Sequence, residues 1–199
     1  MSKLSIFIKE NFRIIRKFWI NQFTMSLFGL FLTIPMSVFA KKNSLGNTPV
    51  LIASIVAAFL FIFIMHDLFW QAGAKNAIKQ KGKGSRIDRK HGLKTALVAY
   101  SPTIIITLIS VIMFLINVNS SSEWAGNVNS VLIFILNFIF SGMYFGIFNL
   151  YFSNQPYYML IFTAITIIIP AISYYMGTKE TKLHSLVGLG NVDFKTKTK

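Results

Sequence analysis

Residues 75–94 read KNAIKQKGKGSRIDRKHGLK, with eight basic side chains and one acid, Asp88. An apolar run of twenty or so residues lies on each side, about 50–71 and 96–118. A run of that length spans the ~30 Å hydrocarbon core of a bilayer as a helix. Basic residues collect in the loops left on the cytoplasmic side. The stretch therefore reads as a cytoplasmic loop between two membrane spans, and the fold class as an all-α, polytopic transmembrane helix bundle.

Composition agrees. Of 199 residues, 54% are hydrophobic, 20 are phenylalanine and only 13% are charged, about half the ~25% charged share of soluble domains. The apolar residues form unbroken blocks instead of the amphipathic periods of a soluble fold. The net charge of +14 raises the question of nucleic acid. The basic residues flank apolar blocks, so anionic membrane lipids are the expected partner and nucleic acid is not. With no cysteine, the chain has no disulfide, thiolate metal site or cysteine nucleophile.

Outward from the loop, about five spans are expected, at residues 18–40, 50–71, 96–118, 131–152 and 157–176. Residues 1–17 precede them as a basic amphipathic helix. Leu4, Phe7, Ile8, Phe12 and Ile15 share one face, while Lys9, Arg13, Arg16 and Lys17 lie elsewhere on the wheel. Such a segment either lies in the headgroup layer or extends the first span into the cytoplasm. Residues 177–199 form a basic polar tail. The first apolar run is too long for a signal-peptide core of about 7–15 residues. Pro35 is expected to kink or end the first span, and the tight turn at 153–156 to make the last two runs an antiparallel hairpin.

Charge placement sets an orientation and leaves a tension in it. With the N-terminus inside, five crossings put 13 basic residues inside and seven outside. The lysine tail then lies on the side the rule disfavours. If one of the last two runs re-enters without crossing, the division becomes 18 and two. Both runs are long enough to cross, so length favours five crossings.

Several residues bear on function. Asp67 is the one carboxylate placed near membrane depth, where an acid is costly. Pairing with a cation of the loop is its expected role, ahead of proton coupling. His66 is adjacent in sequence, and neighbours on a helix face different ways. Asn137, Ser141 and Asn149 are polar groups within the fourth run, and with Asp67 and His66 they make up a candidate intramembrane polar site. Ala53 with Ala57, and Gly142 with Gly146, are small-residue pairs that let helices approach closely. Lys79, Lys81, Lys83, Arg86, Arg89 and Lys90 are the expected contacts to lipid headgroups or to a protein partner, including a second copy of the chain. No cofactor is implied. The three histidines and six acids make no zinc pattern, and no catalytic set assembles, so an enzyme is not expected. The expected function is a small transporter or transport-accessory subunit. The alternative is a structural or regulatory membrane protein acting through the 75–94 loop.

The stretch Asp67-Leu-Phe-Trp-Gln-Ala-Gly-Ala-Lys75 precedes the basic loop, and Lys90-His-Gly-Leu93 and a proline-containing span follow it. Tyr174-Tyr-Met-Gly177 closes the last apolar run. With Trp70, Gly73, Lys75, Gly92 and Pro102, these resemble a family of small multi-span membrane proteins of clostridia and related Gram-positive bacteria. Asn76 stands where that family commonly has an acid. The resemblance implies a bacterial plasma-membrane location and no particular chemistry.

Overall fold

The structure is a computed structural model that describes residues 3–85, 88–152 and 155–179. Arg86 and tail residues 180–199 lie outside the described residues. The elements are α1 (Lys3–Lys42), α2 (Thr48–Gly82), α3 (His91–Ser120), α4 (Glu123–Ile135), a π turn (Leu136–Phe140), a 3-10 turn (Gly142–Tyr144), α5 (Phe145–Tyr151), a second 3-10 turn (Pro156–Tyr158) and α6 (Met159–Thr178). Five helical segments are long and apolar enough to cross a membrane: Leu4–Lys42, Thr48–Gly82, His91–Ser120, Glu123–Phe140 and Pro156–Thr178.

The helices run past the expected spans. The 40 residues of α1 are roughly 60 Å long at 1.5 Å per residue, about twice the hydrocarbon core. Residues 3–17 continue the first span without a break, so the amphipathic stretch extends the span. Its Asn11 and Ile15 turn into the bundle and are buried. Pro35 sits inside α1 and does not end it. The turn after α1 takes left-handed backbone at Ser44 and Gly46, with φ of 54° and 65°. Helix α2 begins at Thr48 with Pro49 in its first turn, where no backbone donor is needed.

Side-chain contacts define two ends of the bundle. Helices α1 and α3 run parallel. His91 Nε2 lies 2.7 Å from Asn11 Oδ1, Trp19 Nε1 donates to Ala99 O at 2.7 Å, and Gln22 Nε2 donates to Thr103 Oγ1 at 3.3 Å. Helices α2 and α6 run the other way and are parallel to each other. They cross at Gly73 and Gly177, where backbones touch. A β-carbon on Gly73 would overlap the Tyr174 carbonyl, and one on Gly177 the Trp70 carbonyl. Tyr174 gathers the basic end. Its ring covers Gly92, and its hydroxyl accepts from Asn76 Nδ2 at 2.6 Å. The start of α1, the end of α2, the start of α3 and the end of α6 thus share one end with the 83–90 loop.

The fourth run does not follow the expected continuous span over 131–152. Helix α4 starts at the other end of the bundle, with Gly126 against Asn117 of α3. It descends until Phe140 O reaches Gln22 of α1, 3.1 Å away. That level is also Thr103's, 17 residues from the end of α3, or roughly 25 Å at helical rise. The chain then turns back. Gly142 meets Ser26, Met143 meets Gly29, and Gly146 lies against Ser54 and Val50 near the start of α2. Helix α5 therefore returns to the end where α4 began. It forms an antiparallel hairpin with α6: Tyr144 stacks on Phe162 at 4.8 Å and Phe152 packs on Tyr158 at 4.4 Å. Tyr157 lies 6.1 Å from Phe114, near the end of α3, and α6 carries the chain back to the basic end. By length and composition the fourth run is a span; by path it is a re-entrant loop. Re-entrant backbone survives at membrane depth only where protein shields it, and α1, α2 and α6 surround this one.

The absence of native cysteine makes this path measurable. In single-cysteine variants treated with a membrane-impermeant maleimide, Gln155→Cys is expected to react from the same side as Ser44→Cys and Ser122→Cys. Lys83→Cys and Lys179→Cys are expected to react from the opposite side. Labelling of Gln155→Cys together with Lys83→Cys would show that the run crosses.

Candidate functional site

The break in the fourth run builds a polar place within the bundle. The Ser141 N–H bonds to Leu136 O, five residues back, at 2.8 Å, closing the π turn. Ser141 leaves helical geometry at φ −132° and ψ 12°. The Tyr144 N–H then bonds back to Ser141 O at 2.8 Å, so the chain resumes in a 3-10 turn. A break of this kind strips carbonyls of their helical donors. Neighbouring helices replace them. Ser26 Oγ reaches Phe138 O at 2.9 Å and Asn137 O at 3.2 Å, and accepts the Gly142 N–H at 2.7 Å. Gln22 Nε2 donates to Phe140 O. On the far side Ser54 Oγ donates to Met143 O and accepts from the Ile147 N–H, both at 3.2 Å.

Hydroxyls converge beside the break. Tyr144 Oη lies 3.2 Å from Thr166 Oγ1. Tyr100 is fully buried at 0% exposure. Its hydroxyl faces Ser141, Thr163 and Thr166 but reaches hydrogen-bonding geometry with no described residue. Asn137 Oδ1 is likewise buried without a partner among the described residues. A buried polar atom left unpaired costs about 1–3 kcal/mol, and such atoms in native proteins are ordinarily met by water or a ligand. The cluster carries no formal charge. It suits a neutral group that both donates and accepts hydrogen bonds.

The expected site residues separate into several places. Asn137 and Ser141 lie at the break, and Gly142 and Gly146 are its contacts to α1 and α2. Asn149 is exposed, because the break rotates α5 off the helical register of residues 131–141. His66 turns to α6, its Nδ1 2.8 Å from Ser173 Oγ. Asp67 turns away from the bundle interior. Its carboxylate accepts Gln71 Nε2 at 2.8 Å and lines a cavity to which Lys17 of α1 also contributes. Ala53 and Ala57 are buried, Ala57 completely. Lys79, Lys81, Lys83, Arg89 and Lys90 are exposed at the basic end. Helix α1 supplies what the sequence reading missed. Gln22, Ser26, Gly29 and Thr33 fall four, three and four residues apart on one face, and all are buried. A polar and small stripe at helical spacing within an apolar run is the signal that marks them.

No family model, curated protein or solved structure matches this chain.

Ser26→Ala removes the hydroxyl that meets three backbone groups at the break. It should destabilise the protein by about 1–3 kcal/mol for each group left dry, read as a lower unfolding midpoint in detergent. Ser37→Ala is the comparison: its exposed hydroxyl bonds only to Ile34 O of its own helix, and it should leave the midpoint unchanged. Equal behaviour of the two variants would mean that the break does not depend on α1.

Proposed function

We propose that this chain is a multi-pass membrane protein of the transport or transport-accessory class, handling a small, uncharged, hydrogen-bonding solute at the break of its fourth run. The observation that carries the reading is two buried atoms without a partner among the described residues, Tyr100 Oη, which faces Ser141, and Asn137 Oδ1, on the discontinuous helix itself. Transporter sites are commonly built where unwound backbone meets polar side chains near the bilayer midplane. The chemistry available here is hydroxyl, amide and carbonyl. A bare ion would find no opposite charge in the cluster, and its dehydration would go uncompensated.

Charge supports one orientation. At the basic end lie Lys9, Arg13, Arg16 and Lys17 of α1, Lys75, Lys79, Lys81 and Lys83 at the end of α2, and Arg89, Lys90 and Lys94 before and within α3. The opposite end carries Lys41, Lys42 and Glu123. The positive-inside rule supports a cytoplasmic basic end, and with it an N-terminus and an exit of α6 on the cytoplasmic side of a bacterial plasma membrane. The same exposed cations support a second reading, in which that end holds anionic lipid or a protein partner.

Flux through proteoliposomes tests the transport reading. Stopped-flow light scattering with water, glycerol and urea as probes should show permeation above that of empty vesicles. Tyr100→Phe and Asn137→Ala should each lower it about tenfold, the change expected when one buried hydrogen bond to the solute is lost, while the protein still inserts. Permeation equal to that of empty vesicles for all three probes would leave the second reading in its place. Co-purification of a protein that is lost when Lys79, Lys81 and Lys83 are neutralised would favour that second reading directly.

A further inference from the structure

A groove between α1 and α2, on the side of the basic end, is lined by both charged and apolar residues. A cavity of about 330 Å³ opens there, at the small end of ligand-binding cavities. Its polar lining consists of Lys17 and Asn21 from α1 and Asp67 and Gln71 from α2. Its apolar lining includes Ile20 and Phe63, which are 55% and 59% exposed, so the groove opens sideways.

The order of these residues along the helices matters. Helices α1 and α2 are antiparallel. Lys17 precedes Ile20 and Asn21 on the way into the bundle, and Phe63 lies four and eight residues deeper than Asp67 and Gln71. The groove therefore carries both of its charges at the boundary end, with Ile20, Phe63 and the uncharged Asn21 deeper. That order fits an amphiphile lying along it, with its headgroup at the charged mouth. Charge narrows the class. One ammonium and one carboxylate share the cavity, and Asp67's known partner, Gln71, occupies only part of its accepting capacity. A headgroup with a phosphate and a primary ammonium satisfies both: the phosphate pairs with Lys17 and the ammonium donates to Asp67. An anionic headgroup would set its charge against Asp67, and a quaternary ammonium has no proton to donate.

We propose that this groove is a binding site for a zwitterionic aminophospholipid of the phosphatidylethanolamine type, its phosphate on Lys17 and its ammonium on Asp67. The site is separate from the break in the fourth run and does not depend on what passes there.

Native mass spectrometry of the full chain in detergent tests it, with phosphatidylethanolamine, phosphatidylcholine and phosphatidylglycerol of matched acyl chains, and with soluble phosphoethanolamine. Phosphatidylethanolamine should be retained in preference to the other two lipids. Asp67→Asn should lower its retention about tenfold, as expected for one charge-assisted hydrogen bond, and Lys17→Gln should do the same. Asp88→Asn, which removes an acid outside the groove, should leave retention unchanged. Asp67 is exposed, so the unfolding midpoint of Asp67→Asn should match that of the unsubstituted protein; should that variant fail to fold, Lys17→Gln reads the same contact from the other helix. Phosphatidylglycerol held as well as phosphatidylethanolamine, or an unchanged preference in Asp67→Asn or Lys17→Gln, would overturn the proposal. Soluble phosphoethanolamine binding as tightly as the lipid would also overturn it, because the apolar half of the groove would then contribute nothing.

Discussion

A backbone that turns inside a bilayer must find its hydrogen bonds within the protein. Each unmet N–H or C=O in hydrocarbon costs several kcal/mol, and the turn at Ser141 frees several at once. The Ser26 hydroxyl shares its one proton between the Asn137 and Phe138 carbonyls and accepts the Gly142 N–H, and Gln22 answers the Phe140 carbonyl. Because one side of α1 carries both residues, α1 has to present that face to the turn at one height and one rotation. Its pairing with α3 through Trp19 and Gln22 holds that rotation. The approach must also be close: Gly29 lies against Met143 and Gly142 against Ser26 with no room for a β-carbon. The helix break, the glycines and the α1 stripe are therefore one device, and removing any part leaves the others without purpose.

The basic end uses the same physics with different residues. Apolar side chains gain little by leaving lipid for one another, so helices associate there through tight packing and interhelical hydrogen bonds. The Gly73–Gly177 crossing brings α2 and α6 into backbone contact. Tyr174 then uses the space beside it, with its ring on Gly92 of α3 and 5.7 Å from His91, whose imidazole meets Asn11 of α1. All four long helices meet within one side chain of Tyr174. This explains why Gly73, Gly92 and the Tyr174–Gly177 segment stand out in an otherwise apolar sequence.

The fold was legible wherever it depends on local chemistry. Apolar length marks each run, and the Lys75–Lys94 stretch marks a loop, because both are properties of contiguous residues. The path of the fourth run was not legible. Gly142 and Gly146 read as a packing pair on a continuous helix, since nothing local to residues 131–152 reveals that Ser26 and Gln22, more than a hundred positions earlier, will satisfy a broken backbone. Charge carried a trace of it: a lysine tail on the disfavoured side was the tension that a re-entrant run relieves. The candidate site divided in the same way. Asn137 and Ser141 were visible as polar residues in an apolar run, and the structure keeps them at the break. Asp67 was visible too, but its environment depends on how α1 rotates against α2, which puts Lys17 and Asp67 on the wall of one cavity.

Polar chemistry in this molecule is sorted by charge. Among the described residues, the groups around the break are hydroxyls, amides and carbonyls, while formal charges stand at the boundary, most of them at one end. The sorting follows from desolvation: a hydroxyl that meets a carbonyl can be buried at small net cost, whereas an ion cannot be buried without a partner of opposite sign. It also divides what each region can recognise. The neutral interior offers hydrogen bonds to an uncharged group and no opposite charge to an ion. The boundary groove instead offers one charge of each sign, on the exposed Lys17 and Asp67. The Lys17–Asp67 pair therefore belongs to the lipid-facing chemistry of the chain, and the Ser26–Ser141 region to its interior. The α1 helix joins the two, since Lys17 and Ser26 are nine residues apart on the same continuous rod.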